Sequence, residues 1–491
     1  MGVRNILLIL SLLLPALGGA LLLIHPIKDE LNRRIFSEIF TVAASVCVWT
    51  LLAGGDLPEM TVYSFAGLFS VGLHVDGLSV VFAGMVSFMW PLVTLYAFDY
   101  MEHAHHKNAF FGFYMITYAI TLGIAFSANI VTLYAFFEML TIVTIALVSH
   151  YETHDSMYAG RIYANYTIGG ASAGFIAVVI TTMRMGGSFA AHGSNFTGFN
   201  KDVMLLVFLL GFFGFGTKAA VFPLYAWLPA ASVAPTPVTA LLHAVAVVNS
   251  GVFSVMRLTY YIYGADYIRG TWAQNIALGA AVFTIVFGAV CALRERHFKR
   301  RLAFSTVSNL SYMLFGVMLL TPDGFTGGLA HMLFHGFMKI SLFLCAGAFM
   351  HVTGHHYIYE INGVGKRMPY TFTLYTLSAL ALVGLPLFSG FVSKWQLLTA
   401  AAEAATPLSY AGMAALITAA FLCAIYTLSV SIRAFFPMKG TDRYAESDVK
   451  EADWRMVVPI GIFTVISTAI GIHPQPVMSF LRNIVTTVMA G

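Results

Sequence analysis

The sequence predicts an all-α polytopic membrane protein of about fourteen transmembrane helices, with two inverted five-helix repeats that each contain a broken helix. Three observations lead there. Of 491 residues, 59% are hydrophobic and 10% charged, against roughly 25% charged in soluble domains, so an ordinary water-facing surface cannot be covered. The apolar residues form continuous runs of the roughly 20 residues a helix needs to cross hydrocarbon, without the period-two alternation of a lipid-facing barrel. Proline and glycine interrupt two of these runs at comparable places in two halves of the chain. A soluble enzyme, a nucleic-acid binder and a disordered chain are excluded.

The runs lie at 4–24, 36–53, 78–98, 110–127, 129–149, 163–183, 203–222, 237–256, 273–292, 302–320, 327–350, 370–392, 409–432 and 455–473. The fourth and fifth are separated only near Ser127–Asn129, so thirteen spans is the alternative. Arg4 and the following apolar run imitate a secretory signal; because the run continues to Ile24 it is read as a retained helix. Assigning loops alternately to two sides places 17 of the 26 Lys and Arg on one side and six on the other. The basic loop RERHFKRR, 294–301, then marks the cytoplasmic face, with both termini outside. The expected organisation is three N-terminal helices in 1–100, a first repeat in 108–260 (helices 4–8), a second in 270–435 (helices 9–13), and a cytoplasmic loop with a C-terminal helix in 436–491. The segment 442–453 is read as an ordinary solvated loop.

Three lysines remain: Lys218, Lys339 and Lys394 sit within apolar runs or at their ends. A charge at the bilayer centre costs roughly 2.5–3.5 kcal/mol on insertion scales, which makes such residues functional candidates. Glu138 in the fifth run, His243 in the eighth, and His331 and His335 in the eleventh join them. His331, His335 and Lys339 are spaced i, i+4, i+8. On a helix they fall within about 80° and climb about 12 Å, one polar stripe suited to a proton wire. Burial lowers a lysine pKa and raises a glutamate pKa, while pairing opposes both, so a buried lysine beside a movable glutamate can switch a proton near neutral pH.

The breaks accompany the lysines. Pro223 and Pro229, with Pro235 and Pro237, follow Lys218. Gly384, Pro386 and Gly390 precede Lys394. Proline removes a backbone donor and clashes with the preceding turn; at membrane depth the freed carbonyls need protein or water partners. Plainer readings exist beside these. His243 alone could be a satisfied core histidine, Glu138 and Lys218 a structural ion pair, Lys394 a side chain snorkelling to the interface, and the prolines plain kinks. His103, His105, His106, His355 and His356 are read as solvated loop histidines. Cys47, Cys291, Cys345 and Cys423 lie far apart without a CxxC, and neither a metal nor a cofactor is expected.

Several segments together resemble the proton-pumping membrane subunits of respiratory complex I, a superfamily that includes the large subunits of Mrp-type sodium/proton antiporters and of energy-converting membrane-bound hydrogenases. The longest, from Thr217 to Ala244, reads TKAAVFPLYAWLPAASVAPTPVTALLHA. The others are VDGLS at 75–79, KRRLAFSTVSNLSYM at 299–313, LAHMLFHGFMKISLFLCAG at 329–347 and GLPLFSGFVSKW at 384–395. HAVAVVNSGVF at 243–253 looks most similar to the D-type chain of Mrp antiporters and to the hydrogenase branch. The resemblance implies that Glu138 pairs with Lys218, that His243 is a relay group, that Lys339 with His335 is the central site, and that Lys394 serves the exit half-channel. It implies further membrane subunits as partners, and protons, with sodium an open question, as the transported ions. In the pattern PLHxWLPDA this chain has Tyr225 for His and Ala230 for Asp. His297 stands where the basic loop commonly has Asp. Near the sixth run, Arg161 and Asn165 occur without a clear lysine. The expected route runs from the basic side past Lys218 and His243 to Lys339 and out by Lys394. Two other classes remain: a stand-alone transporter of an organic solute, and a haem-binding membrane cytochrome.

Overall fold

A computed structural model describes residues 2–54, 58–65, 69–185, 187–189, 193, 198–438 and 440–490. The chain runs through α1 (Val3–Ile24), α2 (Glu30–Leu52), a hairpin of β1 (Glu59–Phe65) and β2 (Phe69–His74), α3 (Gly77–Tyr100), α4 (Lys107–Ala125), α5 (Ile130–Val148), α6 (His154–Met185) and α7 (Lys201–Gly216). Then come α8 (Trp227–Ala230), α9 (Thr236–Ala244), α10 (Val247–Met256), α11 (Ala265–Ile268), α12 (Trp272–Arg294), α13 (Phe298–Met318) and α14 (Pro322–Thr353). The last are α15 (Pro369–Val383), α16 (Ser389–Ala404), α17 (Pro407–Phe435), α18 (Trp454–Ile472) and α19 (Gln475–Ala490).

Each predicted apolar run overlaps helix, but those at 203–222, 237–256 and 370–392 are interrupted. Among the described residues, eleven helical stretches are long and apolar enough to cross a membrane. The predicted spans outside that group are instructive. Helix α7 and the α15–α16 pair are cut short by the breaks. Helix α13 carries Ser305, Thr306, Ser308, Asn309 and Ser311, all buried, so its polar side turns inward rather than to lipid.

Burial sorts the helices into centre and rim. The most apolar window of Thr236–Tyr263 is entirely buried and that of α14 94% buried, whereas those of α1 and α2 are 33% buried. A helix apolar all round belongs in a core, and α14 is that core. At 32 residues it is about 48 Å long, longer than the roughly 30 Å of hydrocarbon. On the rim, α1 and α4 touch backbone to backbone, since a Cβ on Gly19 would lie 2.5 Å from the Gly112 carbonyl. Without a hydrophobic drive between helices in lipid, such small residues allow the close packing that joins them.

One feature departs from the expectation and another refines it. Strands are present: β1 and β2 pair antiparallel and clamp the α4–α5 turn. His74 N–H donates to Phe126 O at 2.7 Å, Ala128 N–H to Gly72 O at 3.0 Å, and Asn129 Nδ2 to Ser70 O at 3.0 Å. Asn129 also caps α5 through Thr132 N–H at 2.8 Å, so α4 and α5 are separate helices. The 442–453 segment is docked rather than free. Glu451 accepts Tyr370 N–H at 2.7 Å and Thr371 Oγ1 at 2.6 Å, satisfying donors at the start of α15. Arg367 binds the carbonyls of Tyr444 and Ala445.

Candidate functional site

The candidate site is a set of buried ionisable side chains on α14 and at the interrupted helices around it. At one end α7 stops at Gly216, and Lys218 sits in the turn that follows, fully buried. Its ammonium donates to the Phe137 carbonyl and lies 3.6 Å from the centroid of the Phe137 ring. Glu138 is the next residue on α5, yet no ion pair joins it to Lys218 within 4.0 Å, and its Oε1 is buried without a hydrogen-bond partner. The resemblance implies a direct pair. The structure instead shows neighbours beyond ion-pair distance, with the amine held by a backbone carbonyl and ring face. Gly251 of α10 makes room for the turn, since a Cβ there would stand 2.4 Å from Ala219 N. Pro229 is buried in α8, and Pro223 is exposed in the preceding turn.

The next break was not anticipated. The eighth run is expected to be one helix, but α9 ends at Ala244 and α10 starts at Val247, with Val245 out of helical conformation. Asn249 Nδ2 donates to the freed Ala244 carbonyl at 2.8 Å. No proline marks the spot; Asn249 and Gly251 are the only local signal. His243 lies at this break, fully buried, with neither ring nitrogen partnered. Its ring centroid is 4.8 Å from that of Phe343 on α14.

Helix α14 carries the expected stripe. Lys339 Nζ donates to Leu302 O at 2.9 Å and to Ser305 Oγ, both on α13. His335 has no partner on either ring nitrogen. His331, its ring centroid 5.9 Å from that of His335, is tied on both sides: Nδ1 to Ser393 Oγ at 2.9 Å and Nε2 to Asn309 Oδ1 at 3.2 Å. Both nitrogens of His331 are thus engaged, and the two histidines stand side by side on one helix rather than facing each other, which is poor geometry for bis-histidine haem ligation.

At the far end α15 stops at Val383. Gly384, with φ of 90°, turns the chain in the left-handed region that favours glycine. Gly390, near the start of α16, approaches so closely that a Cβ would lie 1.9 Å from Ala381 O; Pro386 lies exposed between them. Lys394 is 7% exposed and does not snorkel. It donates to Leu382 O at 2.7 Å and Val383 O at 3.0 Å, the carbonyls that the break leaves open. Its ammonium also lies 5.3 Å from the Tyr312 ring centroid, and that ring is 5.3 Å from His331. Ser305, Asn309 and Tyr312 of α13 and Ser393 of α16 therefore join the site; sequence reading passed over them as ordinary polar residues.

Two cations counted as loop charges are buried. Arg257 lies 1% exposed, clasping Asp76, with Nη2 to Oδ1 at 2.7 Å and to Ser79 Oγ at 3.0 Å. Asp76 also caps α3 through Ser79 N–H at 2.9 Å. Burial pushes the Asp76 carboxyl up, but the Arg257 guanidinium and the Ser79 bonds outweigh it and hold the acid well below the usual carboxylate range. This explains the VDGLS segment as an anchor for the 236–263 stretch. The second is Lys299, 4% exposed. Beside it, burial and the charges of Lys299 and Arg300 push the loop histidine His297 down to about 3. Burial and Lys299 also lower His356.

Interrupted helices that present buried amines to one another mark a class of ion-handling membrane proteins. The family model described as NADH:quinone oxidoreductase/Mrp antiporter, transmembrane, matches residues 127–423, and that of the complex I chain 5 N-terminus matches residues 64–111. The chain belongs to the NADH:quinone oxidoreductase/Mrp antiporter family and is an integral membrane protein. It is 29% identical to F(420)H(2) dehydrogenase subunit L of Methanosarcina mazei, covering 94% of this chain and 72% of that one. It is 30% identical to NADH-quinone oxidoreductase subunit L of Mycobacterium tuberculosis, covering 86% of this chain and 63% of that relative. The fold matches a chain of the Mrp complex from Dietzia sp. DQ12-45-1b with a TM-score of 0.85 at 20% identity, covering 100% of this chain and 98% of that one.

Proposed function

We propose that this chain is a proton-translocating subunit of a multi-subunit membrane complex. The observation that carries the reading is the set Glu138, Lys218, His243, His335, His331, Lys339 and Lys394. Several of these groups are fully buried, several lack a partner, and three sit at helix breaks. A structural role would pair such groups, since an unpaired buried polar atom costs roughly 1–3 kcal/mol. A hydrated path would leave them as they are, free to exchange protons with water.

In this mechanism Glu138 is the switch. Swung toward Lys218 it stabilises the ammonium; swung away it leaves the amine in apolar surroundings that favour releasing the proton. The proton passes by His243 to Lys339, then along His335 and His331 to Lys394 and the opposite face. The two five-helix halves are inverted relative to each other, and Lys218 and Lys394 occupy corresponding breaks. The basic 294–301 loop faces the cytoplasm, both termini face outward, and the membrane is a prokaryotic cell membrane. Driving force, redox or an imposed sodium gradient, comes from partner subunits, which co-purification would identify.

The test is proton uptake by the assembled complex in sealed vesicles. Lys218→Ala and Glu138→Ala should each abolish uptake while the subunits still co-purify. Full uptake by both variants rejects the reading.

A further inference from the structure

Lys299 is the fourth buried lysine among the described residues, and no described acid lies within 4.0 Å of it. It stands in the first turn of α13, and its ammonium donates to Ala234 O at 2.8 Å. Ala234 belongs to the non-helical link that joins the single turn Ala231–Val233 to α9. The same carbonyl accepts Thr239 Oγ1 at 2.9 Å. Thr239 is one helical turn before His243 on α9, hence on the same face, and both side chains are fully buried.

On its other side Lys299 borders a cavity of about 840 Å³ with Asp155, Tyr158, Glu295, His297 and His356. The cavity opens at the face that carries the basic loop. It is large enough to hold many waters, at about 30 Å³ each; much of its wall is apolar, but Asp155, Glu295, His297 and Arg300 give those waters polar partners. A buried ammonium whose only bonded partner among the described residues is one carbonyl is costly. Contact with cavity water offsets that cost and supplies a source of protons.

We propose that Lys299 is the proton-accepting relay residue at the floor of this vestibule, passing protons through Thr239 toward His243. Hydronium in the cavity gives its proton to the neutral Nζ lone pair and leaves water behind. The ammonium then loses one N–H proton to the Thr239 hydroxyl, directly or across a water. The hydroxyl releases its own proton toward a free ring nitrogen of His243, and Nζ returns to the neutral amine. No electron is transferred and no covalent intermediate forms. The inference rests on the translocation reading above and adds its access point.

The experiment uses the assembled complex in sealed vesicles with an internal pH dye, comparing Lys299→Arg, Thr239→Val and, as reference, Lys218→Ala. Arginine keeps the charge and can still donate to Ala234 O, but holds its proton too tightly to release it. Lys299→Arg should therefore cut uptake by at least about tenfold, with subunit retention and melting temperature unchanged. Thr239→Val keeps side-chain volume, removes the hydroxyl and should slow uptake several-fold. Wild-type uptake by Lys299→Arg assigns Lys299 a structural role and overturns the inference. Should that variant fail to assemble, wild-type uptake by Thr239→Val overturns it instead. Uptake lost in Lys218→Ala but normal in these two variants sinks the access route alone; uptake retained in Lys218→Ala sinks the translocation reading with it.

Discussion

The buried amines of this chain share a chemical solution. Lys218, Lys299, Lys339 and Lys394 each donate to a backbone carbonyl, from Phe137, Ala234, Leu302 and Leu382 respectively, and among the described residues none has a carboxylate within ion-pair distance. A carbonyl dipole holds an ammonium in place without pinning its proton as a carboxylate would, so the amine stays exchangeable. Glycine secures the geometry around Lys218. Gly251→Ala would place a methyl group 2.4 Å from Ala219 N and 2.8 Å from Lys218 C, backbone atoms that move only with the whole turn. Overpacking of this kind costs about 1–3 kcal/mol. The variant should melt at a lower temperature and transport poorly; normal melting and normal uptake together would mean that the turn yields freely. Lys218, Lys339 and Lys394 were legible in the sequence because a charge inside an apolar run is visible without any fold. Lys299 was not, because it stands among four other basic residues in 294–301 and its burial depends on Ala234, 65 positions away. Arg257 was hidden for a similar reason, since its partner Asp76 is 181 positions away.

Among the elements, breaks and caps do the positioning. The breaks around Lys218 and Lys394 were announced by proline and glycine. The break at His243 was not, because Asn249 rescues the open Ala244 carbonyl with a side chain common in many contexts. The start of α13 shows how one residue adapts. His297 is its N-cap, with Nδ1 accepting Arg300 N–H at 3.5 Å. Only a neutral imidazole can accept there. In the fold His297 titrates near 3, beside Lys299, Arg300, His356 and Glu360; unfolded, a histidine titrates near 6.5. Between those values the unfolded chain binds more protons, so stability is full above about pH 6.5 and is lost as pH falls toward 3. His297→Asn, which caps without titrating, should flatten part of that decline in melting temperature between pH 7.5 and 5. His297→Asp should stabilise at pH 7 by roughly 0.5–1 kcal/mol, as a better cap beside two cations. An unchanged pH profile in His297→Asn would remove His297 from the cause.

For the whole molecule, central burial of α14 decides the architecture. A helix with buried histidines and a lysine is costly against lipid but tolerable when wrapped by α13, α15, α16 and α18, whose hydroxyls and carbonyls face it. The polar α13 is therefore inside although its hydropathy is low, and the apolar α1 and α2 are outside. Sequence hydropathy located the helices because the bilayer requires long apolar runs. It missed the β1–β2 hairpin because short strands outside the hydrocarbon face no such requirement. The segment 442–453 is the solvated loop expected, but Glu451 and the carbonyls bound by Arg367 anchor it through contacts that composition does not encode.

The central claim is that buried side chains hand protons along a continuous line through α14. Proton uptake by the assembled complex carrying Lys339→Met, a change that keeps length and apolar volume while removing the amine, addresses it most directly. Loss of uptake by at least about tenfold, in a complex with unchanged subunit content and melting temperature, is the expected result. Uptake at the wild-type rate would contradict the line, because no other amine or imidazole stands on α14 between His335 and His351 to carry the proton in its place.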